Sequence, residues 1–227
     1  MKVCVIFRGD HVREATHVRK YIDILMCWDN LKKTIYDDLT TNGHECDIVF
    51  ITYCSKIVED IKNIIAPTHI EIKERINQSE NFKNVLSFMN KYKNTYDRFV
   101  ILRCDFMYRI NITTWPKWDK NGIILVNKDV HWPTYRFYAD VMFIVDSTSV
   151  DTFTNAYYYS IKISYTIHGL GCFLYNNSIP FHLMYEDYYH MDKYPFHPLH
   201  VLGSMEDIPD LANPLSIEPI KDVSYWN

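Results

Sequence analysis

The chain has 227 residues, 48% of them hydrophobic, which is enough to bury a sizeable core in one compact domain. It carries 24 Lys and Arg residues against 28 Asp and Glu residues, so its net charge of -4 argues against a broad nucleic-acid-binding surface. Its longest apolar runs hold about five residues, far below the ~20 of a membrane span, and Arg8 interrupts the first run, so we expect neither a membrane span nor a secretory leader.

The first half of the chain alternates between apolar runs and helical periodicity, which is the pattern of βαβ units. Most of the apolar runs lack polar alternation, so they predict strands covered on both faces, as in a parallel sheet flanked by helices. These strands are predicted at residues 3–7, 47–52, 68–73 and 99–102. Helical stripes are predicted between them, at residues 28–39, 57–65 and 82–89. The second half predicts strands at residues 123–126 and 141–145 and a helix at 148–161.

Residues at the ends of these stripes predict where the helices begin and end. Asn42-Gly43 is typical of a left-handed C-terminal cap, and Pro67 closes the second stripe. Ser79 is the predicted N-cap of the third helix, and Thr148 opens a capping box for the last one. Residues 168–202 show no clear period, and we expect them to wrap around the functional site.

The first strand is followed by residues that suit a nucleotide, although three familiar motifs are missing. The sequence has no Gly-x-Gly-x-x-Gly after this strand, no Walker loop and no Gly-x-Ser-x-Gly elbow, which argues against dinucleotide oxidoreductases, P-loop enzymes and α/β-hydrolases. A mononucleotide fits better, because Gly9 lets the backbone approach a ligand and Arg8 can pair with phosphate. The alternative is that Gly9 only makes a turn and Arg8 is solvated.

The run at 99–102 is followed directly by Arg103 and, two residues later, by Asp105. Ligands of open α/β sheets bind outside the carboxyl ends of the strands, so both side chains are placed where a charged substrate would be held. A carboxylate there can hold Mg²⁺ or Mn²⁺ against a diphosphate, and Arg103 can add a bidentate phosphate contact. The alternative is a surface salt bridge of Asp105 with Arg103 or Arg109.

The chain has three βα units, then the segment YDRFVILRCD at 96–105, and an acidic segment further on. In this order of elements it resembles the nucleotide-sugar-dependent glycosyltransferases of the GT-A fold. It is most similar to small glycosyltransferase-like proteins of large DNA viruses and to capsular-polysaccharide transferases with an Arg-x-Asp strand end. The resemblance covers roughly residues 1 to 200 and implies one α/β domain, taken as 1–204, with a mostly parallel central sheet flanked by helices. The Pro-rich residues from about Met205 predict a C-terminal tail over 205–227. It also implies a cytoplasmic protein, in the host cytoplasm if the chain is viral.

The resemblance implies a metal-assisted enzyme of glycan biosynthesis that moves a sugar from a nucleoside diphosphate sugar to a hydroxyl of a glycan or glycoprotein. In that family the strand end is typically Asp-x-Asp, with the last carboxylate on the metal. Arg103 stands in the first position here, so only Asp105 carries over as a ligand of Mn²⁺ or Mg²⁺. Some members use a late His as a further ligand, and His190 is the candidate in this sequence.

Members of the family also keep an acidic residue in the second half that faces the acceptor. Asp140, directly before the run at 141–145, is the preferred base for the acceptor hydroxyl, and Asp187 with its neighbour Glu186 is the second choice. The alternative is that Asp140 caps or salt-bridges at the start of a strand.

The donor nucleotide is expected to lie along the ends of the first strands. We expect its base and ribose near Arg8, Gly9 and the strand end at Thr52 and Tyr53. Two residues after the third strand are expected to reach it as well, namely Arg75 and Asn81. One or two loop aromatics are expected to contact sugar, from the set Trp115, Trp118, Trp132, Tyr135 and Tyr138.

Two other classes of function stay open at this point. A sugar nucleotidyltransferase could use a similar sheet, but it would usually carry a Gly-rich, Lys-containing loop after the first strand. A noncatalytic carbohydrate-binding or assembly protein on a degenerate transferase scaffold is favoured by the missing first acid at position 103.

Overall fold

The computed structural model describes residues 1–9, 12–15, 20–74, 77–129, 137–164, 167–186, 188–189 and 200–202. A seven-stranded sheet lies at the centre of this part of the chain. In chain order its strands are β1 Lys2–Gly9, β2 Glu45–Tyr53, β3 His69–Lys73, β4 Arg98–Arg103, β5 Ile123–Leu125, β6 Met142–Asp146 and β7 His182–Leu183. Across the sheet they lie in the order β7, β5, β6, β4, β1, β2, β3.

Most neighbouring strands of this sheet are parallel. β1 pairs in parallel with β2 and β4, β2 pairs in parallel with β3, and β5 pairs in parallel with β7. Only β6 runs the other way, antiparallel to β4 and β5 on its two sides. The expected mostly parallel α/β sheet is therefore confirmed, and the carboxyl ends of β1 to β5 meet at one edge, called here the carboxyl edge.

Helices cover both faces of the sheet. One face carries α1 Ile24–Leu31, a π-helical segment Lys32–Asp37, α2 Asp38–Thr41, α3 Val58–Asp60 and a second π-helical segment Ile61–Ile65. The other face carries α4 Gln78–Tyr92, α5 Val150–Ser164 and α6 Gly169–Asn176. Short 3-10 turns lie at Ile112–Thr114 and Ser147–Ser149. Within the described part of the chain, no helix has both the length and the apolar character that crossing a membrane requires.

Three short strand pairs lie outside the central sheet. They join Val12–Ala15 to Lys20–Asp23, Phe106–Tyr108 to His200–Leu202, and Lys128–Asp129 to Tyr188–Tyr189. These pairs are not predicted from the sequence, because strands of two to four residues are too short to show a period of two.

The alternation of side chains along β1 explains why an unbroken apolar run was needed. Val3, Val5 and Phe7 pack against the α1 face, whereas Cys4 and Ile6 pack against the α4 face. Both sets are fully buried, so the sheet is the middle of three layers. On each face of β1 the buried side chains form a row along the strand. A polar residue that continues such a row at the carboxyl edge is therefore held by packed neighbours on both sides.

Two predicted helix starts were wrong by two residues. The N-cap of α4 is Asn77 and not Ser79, since the Asn77 side chain accepts a hydrogen bond from the Glu80 backbone N–H at 2.9 Å. The turn that leads into α5 is capped by Asp146 and not by Thr148, because Asp146 Oδ1 accepts from the Ser149 N–H at 2.8 Å. The predicted left-handed cap was correct, with Gly43 at φ 77°.

Candidate functional site

Three adjacent strands bring five of the residues predicted from the sequence to the carboxyl edge. These residues are Arg8, Gly9, Thr52, Tyr53 and Arg103. Arg8 and Arg103 are register partners across β1 and β4, and Gly9 pairs with Thr52 across β1 and β2. Arg8 continues the row of Cys4 and Ile6, so both arginines lie on the α4 face of the sheet. Two guanidinium groups from neighbouring strands are thereby placed side by side.

Arg8 is almost fully buried, with 2% of its surface exposed. Its guanidinium lies over the ring of Phe82 at 5.1 Å and over that of Phe143 at 6.0 Å, which are favourable cation–π distances. Its Nη2 donates to the backbone carbonyl of Asp140 and lies 3.3 Å from Asp140 Oδ2. Burial lowers the pKa of Arg8, and the negative charge of Asp140 opposes that shift, so the guanidinium stays charged.

Arg103 and Asp105 form a bidentate ion pair. Arg103 Nε donates to Asp105 Oδ1 at 2.9 Å, and Nη2 donates to Oδ2 at 2.6 Å. The pairing corresponds to the salt-bridge alternative, but it is not a surface contact, because Asp105 is only 3% exposed. The guanidinium also lies over the ring of Phe106 at 4.8 Å and approaches Asp140 Oδ1 to 3.5 Å. Arg103 thus links both carboxylates of the site.

Asp140 is surrounded by hydrogen-bond donors and positive charge. Besides Arg8 and Arg103, the Gln78 side-chain amide donates to Oδ2 and His168 Nε2 lies 3.9 Å from Oδ1. Burial by itself would raise the pKa of Asp140, but the charges of His168, Arg103 and Arg8 outweigh it and hold the pKa well below its usual value. Since a general base works best with a pKa near the working pH, this carboxylate is a weak base in the described arrangement.

His168 was not singled out from the sequence, although it lies beside Asp140. Its Nδ1 is 3.1 Å from the backbone carbonyl of Tyr138, and because a carbonyl only accepts, Nδ1 carries the hydrogen in that contact. Its ring stacks on Phe137 at 5.9 Å. Its only sequence signal was its place at the start of a segment without a clear period, which gave no reason to connect it with Asp140.

Two buried carboxamides near the arginines have atoms without hydrogen-bond partners among the described residues. Asn81, in the first turns of α4, is 1% exposed, and neither its Nδ2 nor its Oδ1 is bonded. Asn127, which follows β5 at the carboxyl edge, is fully buried with an unbonded Oδ1, and Arg8 Nε is unbonded as well. Buried polar groups are nearly always hydrogen-bonded, so these atoms indicate a place for a polar ligand or water.

Gly9 and Thr52 shape the edge beside the arginines. Gly9 has a φ of 83°, and a Cβ built there would meet no atom within 4 Å, so the backbone is open to a ligand. Thr52 is fully buried, and its hydroxyl donates to the Gly9 carbonyl at 2.7 Å. The Thr52 side chain therefore ties β1 to β2, and Tyr53 beside it is 6% exposed.

The three loop aromatics of this set that the structure describes are part of the core. Trp115 is 2% exposed and packs on Tyr108 at 4.9 Å. Trp118 lies over Arg98, the first residue of β4, so it is at the end of the strand opposite the carboxyl edge. Tyr138 is 3% exposed and lies two residues before Asp140. Trp132 and Tyr135 lie outside the described residues.

Several other predicted positions also lie outside the described residues. They are Arg75, Asp187, His190, residues 203–204 at the end of the predicted domain, and the whole tail at 205–227. Glu186 is described, and it is an exposed residue whose carboxylate lies 3.6 Å from Lys128 Nζ. The roles predicted for these residues stay predictions.

The described residues do not by themselves fit a divalent metal ion. Both carboxylate oxygens of Asp105 accept hydrogen bonds from Arg103, and a cation there would compete with that guanidinium. In the part of the chain that the structure describes, no three His, Cys, Asp or Glu side chains are grouped closely enough to bind a metal. Metal binding by Asp105 and His190 stays a prediction.

Comparison with known proteins gives no family for this chain. No model of a protein family matches its sequence, and no curated protein matches it. A function for this chain is therefore inferred from the chemistry of the carboxyl edge.

Proposed function

We propose that this protein transfers a sugar from a nucleoside diphosphate sugar to a hydroxyl group. The observation that carries the proposal is the pair of guanidinium groups, Arg8 and Arg103, in register at the carboxyl edge of a mostly parallel sheet. Ligands of such sheets bind at this edge, and paired arginines suit the oxygens of a diphosphate. The unbonded atoms of Asn81, Asn127 and Arg8 support a polar ligand at the same place.

Neutralising the leaving group is the main demand of the reaction. The bond between the anomeric carbon and the phosphate oxygen breaks, and its electron pair leaves with the nucleoside diphosphate. The acceptor oxygen forms the new bond to that carbon and gives its proton to a base. Fixed positive groups in a buried site stabilise the developing charge more strongly than they would in water, and Arg8 and Arg103 supply two of them.

The order of elements supports the GT-A form of this proposal. Three βα units come first, and β4 then ends at Arg103 and is followed directly by Cys104 and Asp105. Asp140 follows in the second half and lies beside both arginines, which supports placing this acidic residue in the same site. In this proposal the first three strands and α4 bind the nucleotide, and the segment around Asp140 lies on the acceptor side.

The first test is calorimetry of the purified protein with UDP, GDP, CDP and ADP and their sugar derivatives, each in Mn²⁺ and in EDTA. We expect one nucleoside diphosphate to bind, and Arg103→Gln to weaken that binding by about 10- to 100-fold, because it removes charge-assisted hydrogen bonds. Arg98→Gln is the control, since Arg98 is a buried arginine at the opposite end of the same strand. If no member of the panel binds under either condition, the proposal is wrong.

The metal arm of the same titration tests the role predicted for Asp105. If a metal bridges this carboxylate and the diphosphate, Mn²⁺ raises the affinity and Asp105→Ala abolishes the rise. If Asp105 serves only to orient Arg103, the affinity is equal in Mn²⁺ and EDTA, and Asp105→Ala changes it to the same extent in both.

A noncatalytic binding protein is the second candidate, and the ion pairs of the site favour it. Asp105 is bonded to Arg103, and Asp140 is bonded to Arg8 and Gln78, so neither carboxylate is set up for acid–base work in the described arrangement. Slow hydrolysis of the bound sugar nucleotide, or transfer to a panel of glycans, would support the enzyme. Binding without either reaction would support the noncatalytic scaffold, and pyrophosphate release from a nucleoside triphosphate and a sugar phosphate would indicate a nucleotidyltransferase.

A further inference from the structure

Asn81 is a buried amide for which the described residues provide no hydrogen bond. The side chain is 1% exposed, and neither its NH₂ group nor its carbonyl oxygen has a partner. A buried polar group without a partner is destabilising, so Asn81 weakens the free protein compared with an apolar residue of the same shape. Such a cost is expected where a ligand makes the missing hydrogen bonds.

The position of Asn81 on α4 places it toward one flank of the arginine pair. Phe82, the next residue, packs on Phe143 of β6 and lies under Arg8. Phe88 marks a different stripe of the helix, because its ring packs on His69 of β3. Asn81 lies seven residues, or about two turns, before Phe88, so it belongs to the stripe on the β2 and β3 side.

Tyr53 ends β2 on the same side. Val49 and Ile51 of this strand pack in the core of the α4 face, and the alternation of β2 puts Tyr53 in their row. The carboxyl edge therefore has two neighbouring regions on the α4 face. Arg8 and Arg103 form a cationic centre, and helix and strand periodicity place Asn81 and Tyr53 toward its β2 side.

We infer that Asn81 recognises the nucleobase of the ligand through paired hydrogen bonds, while the arginines bind its phosphates; this rests on the proposed function. An amide presents one donor and one acceptor side by side, and it matches a flat ring edge that presents an acceptor beside a donor. Inorganic diphosphate has no flat ring edge that presents an acceptor beside a donor, so it does not make this pair of hydrogen bonds with Asn81. Asn81 is thus a specificity-determining residue and takes no part in bond breaking.

The test compares Asn81→Leu with the wild type in two measurements. Leucine has a similar shape and removes the unbonded amide, so we expect Asn81→Leu to keep or raise the Tm of the free protein. We expect it to weaken binding of the nucleoside diphosphate by roughly 10- to 100-fold, since both hydrogen bonds to the base are lost. Binding of inorganic pyrophosphate, which uses only the arginines, should change by less than about two-fold by the same reasoning.

Asn90→Leu is the matched control on the same helix. The Asn90 amide donates to the Leu86 carbonyl and to Thr154 Oγ1, both at 2.9 Å, so it is a bonded carboxamide. Its replacement should lower the Tm and leave nucleotide affinity unchanged. A merely structural Asn81 would behave in the same way as Asn90.

The outcomes separate this inference from the proposed function. Wild-type affinity of Asn81→Leu for the nucleoside diphosphate, or a clear fall in the Tm of the free variant, would overturn the role of Asn81 and leave the proposed function standing. Equal losses for the nucleoside diphosphate and for ribose 5-phosphate would place the contact on the ribose and would also overturn it. Failure of the wild type to bind any nucleoside diphosphate would remove both.

Discussion

Asp140 is the predicted site residue whose expected role, that of the base, is changed most by the structure. Burial raises its pKa, but the surrounding positive charges lower it further, so the carboxylate stays ionised at any ordinary working pH. Its hydrogen bonds hold Arg8, and Arg103 lies within 3.5 Å. We therefore assign Asp140 mainly to positioning the two guanidinium groups, and its action as the base stays a prediction.

Asp140→Asn tests this assignment through the pH dependence of stability. A carboxylate whose pKa is lower in the folded state stabilises the fold above its unfolded pKa of about 3.9, and this contribution is lost as the pH falls through the folded value. At pH 7 the variant leaves Arg8 buried without its counter-charge, which should cost about 3–5 kcal/mol. Denaturant titrations should show that this difference narrows at strongly acid pH, because the wild type then loses the same charge.

Enzyme kinetics provide the second measurement on Asp140. If its carboxylate is the base, the acid limb of the pH–rate profile lies below the usual range of an aspartate. An acid limb between pH 5 and 8 that disappears in His168→Gln would instead assign the proton to an imidazole. An equal loss of stability in Asp140→Asn at pH 7 and at strongly acid pH would contradict the positioning role.

Some of the site's residues are visible in the sequence, but their partners are not. Arg8 and Arg103 each follow an apolar run directly, and this local pattern is enough to place them at a strand end. The contact between Arg8 and Asp140 joins residues that are 132 positions apart. It depends on β6 returning antiparallel beside β4, which no local pattern specifies, and Gln78 and His168 were missed for the same reason.

At the scale of elements, Gly171 joins α6 to the site. A Cβ at this position would overlap the ring of Tyr138, and Tyr138 binds His168 through its carbonyl and lies two residues before Asp140. The close approach of helix and ring is therefore possible only because position 171 has no side chain. This explains a glycine within a helix, where it otherwise lowers stability by about 1 kcal/mol.

Gly171→Ala should therefore destabilise the protein, although alanine is the better helix former. We expect a loss of about 1–3 kcal/mol from overpacking, measured by denaturant titration, and weaker nucleotide binding because the chain at Asp140 shifts. Tyr138→Leu in the same chain should restore part of the stability by making room, which a double-mutant cycle would measure. A variant Gly171→Ala as stable as the wild type would show that Tyr138 moves aside freely.

Sequence patterns predicted the elements of the central sheet better than their ends. Strands β1, β2 and β4 are buried on both faces, so their apolar runs could not have been solvent-exposed. Helix starts were less certain, because Asn77 and Ser79, or Asp146 and Thr148, are all residues that favour N-caps. Which one caps a helix depends on where the preceding strand ends, and that is fixed by tertiary contacts.

At the scale of the whole molecule, the proposed ligand site joins parts that lie far apart in the chain. Its side chains come from β1, β4 and α4 and from the segments before β6 and α6. Arg8 lies on β1, a central strand of the sheet, and its guanidinium packs against the rings of Phe82 and Phe143. A ligand bound there contacts elements that must all be in place together, so unfolding of the domain should release it.

Ligand binding should consequently raise the stability of the entire domain. At a free concentration of about 100 times its Kd, a ligand that binds only the folded state adds about 2.7 kcal/mol. For a domain of this size that corresponds to a rise in Tm of about 5–10 °C. Calorimetric scans with the nucleoside diphosphate should show one transition that moves as a whole, and the same ligand concentration should move Arg103→Gln much less. A shift confined to one of two resolved transitions would mean that the site folds separately from the rest of the sheet.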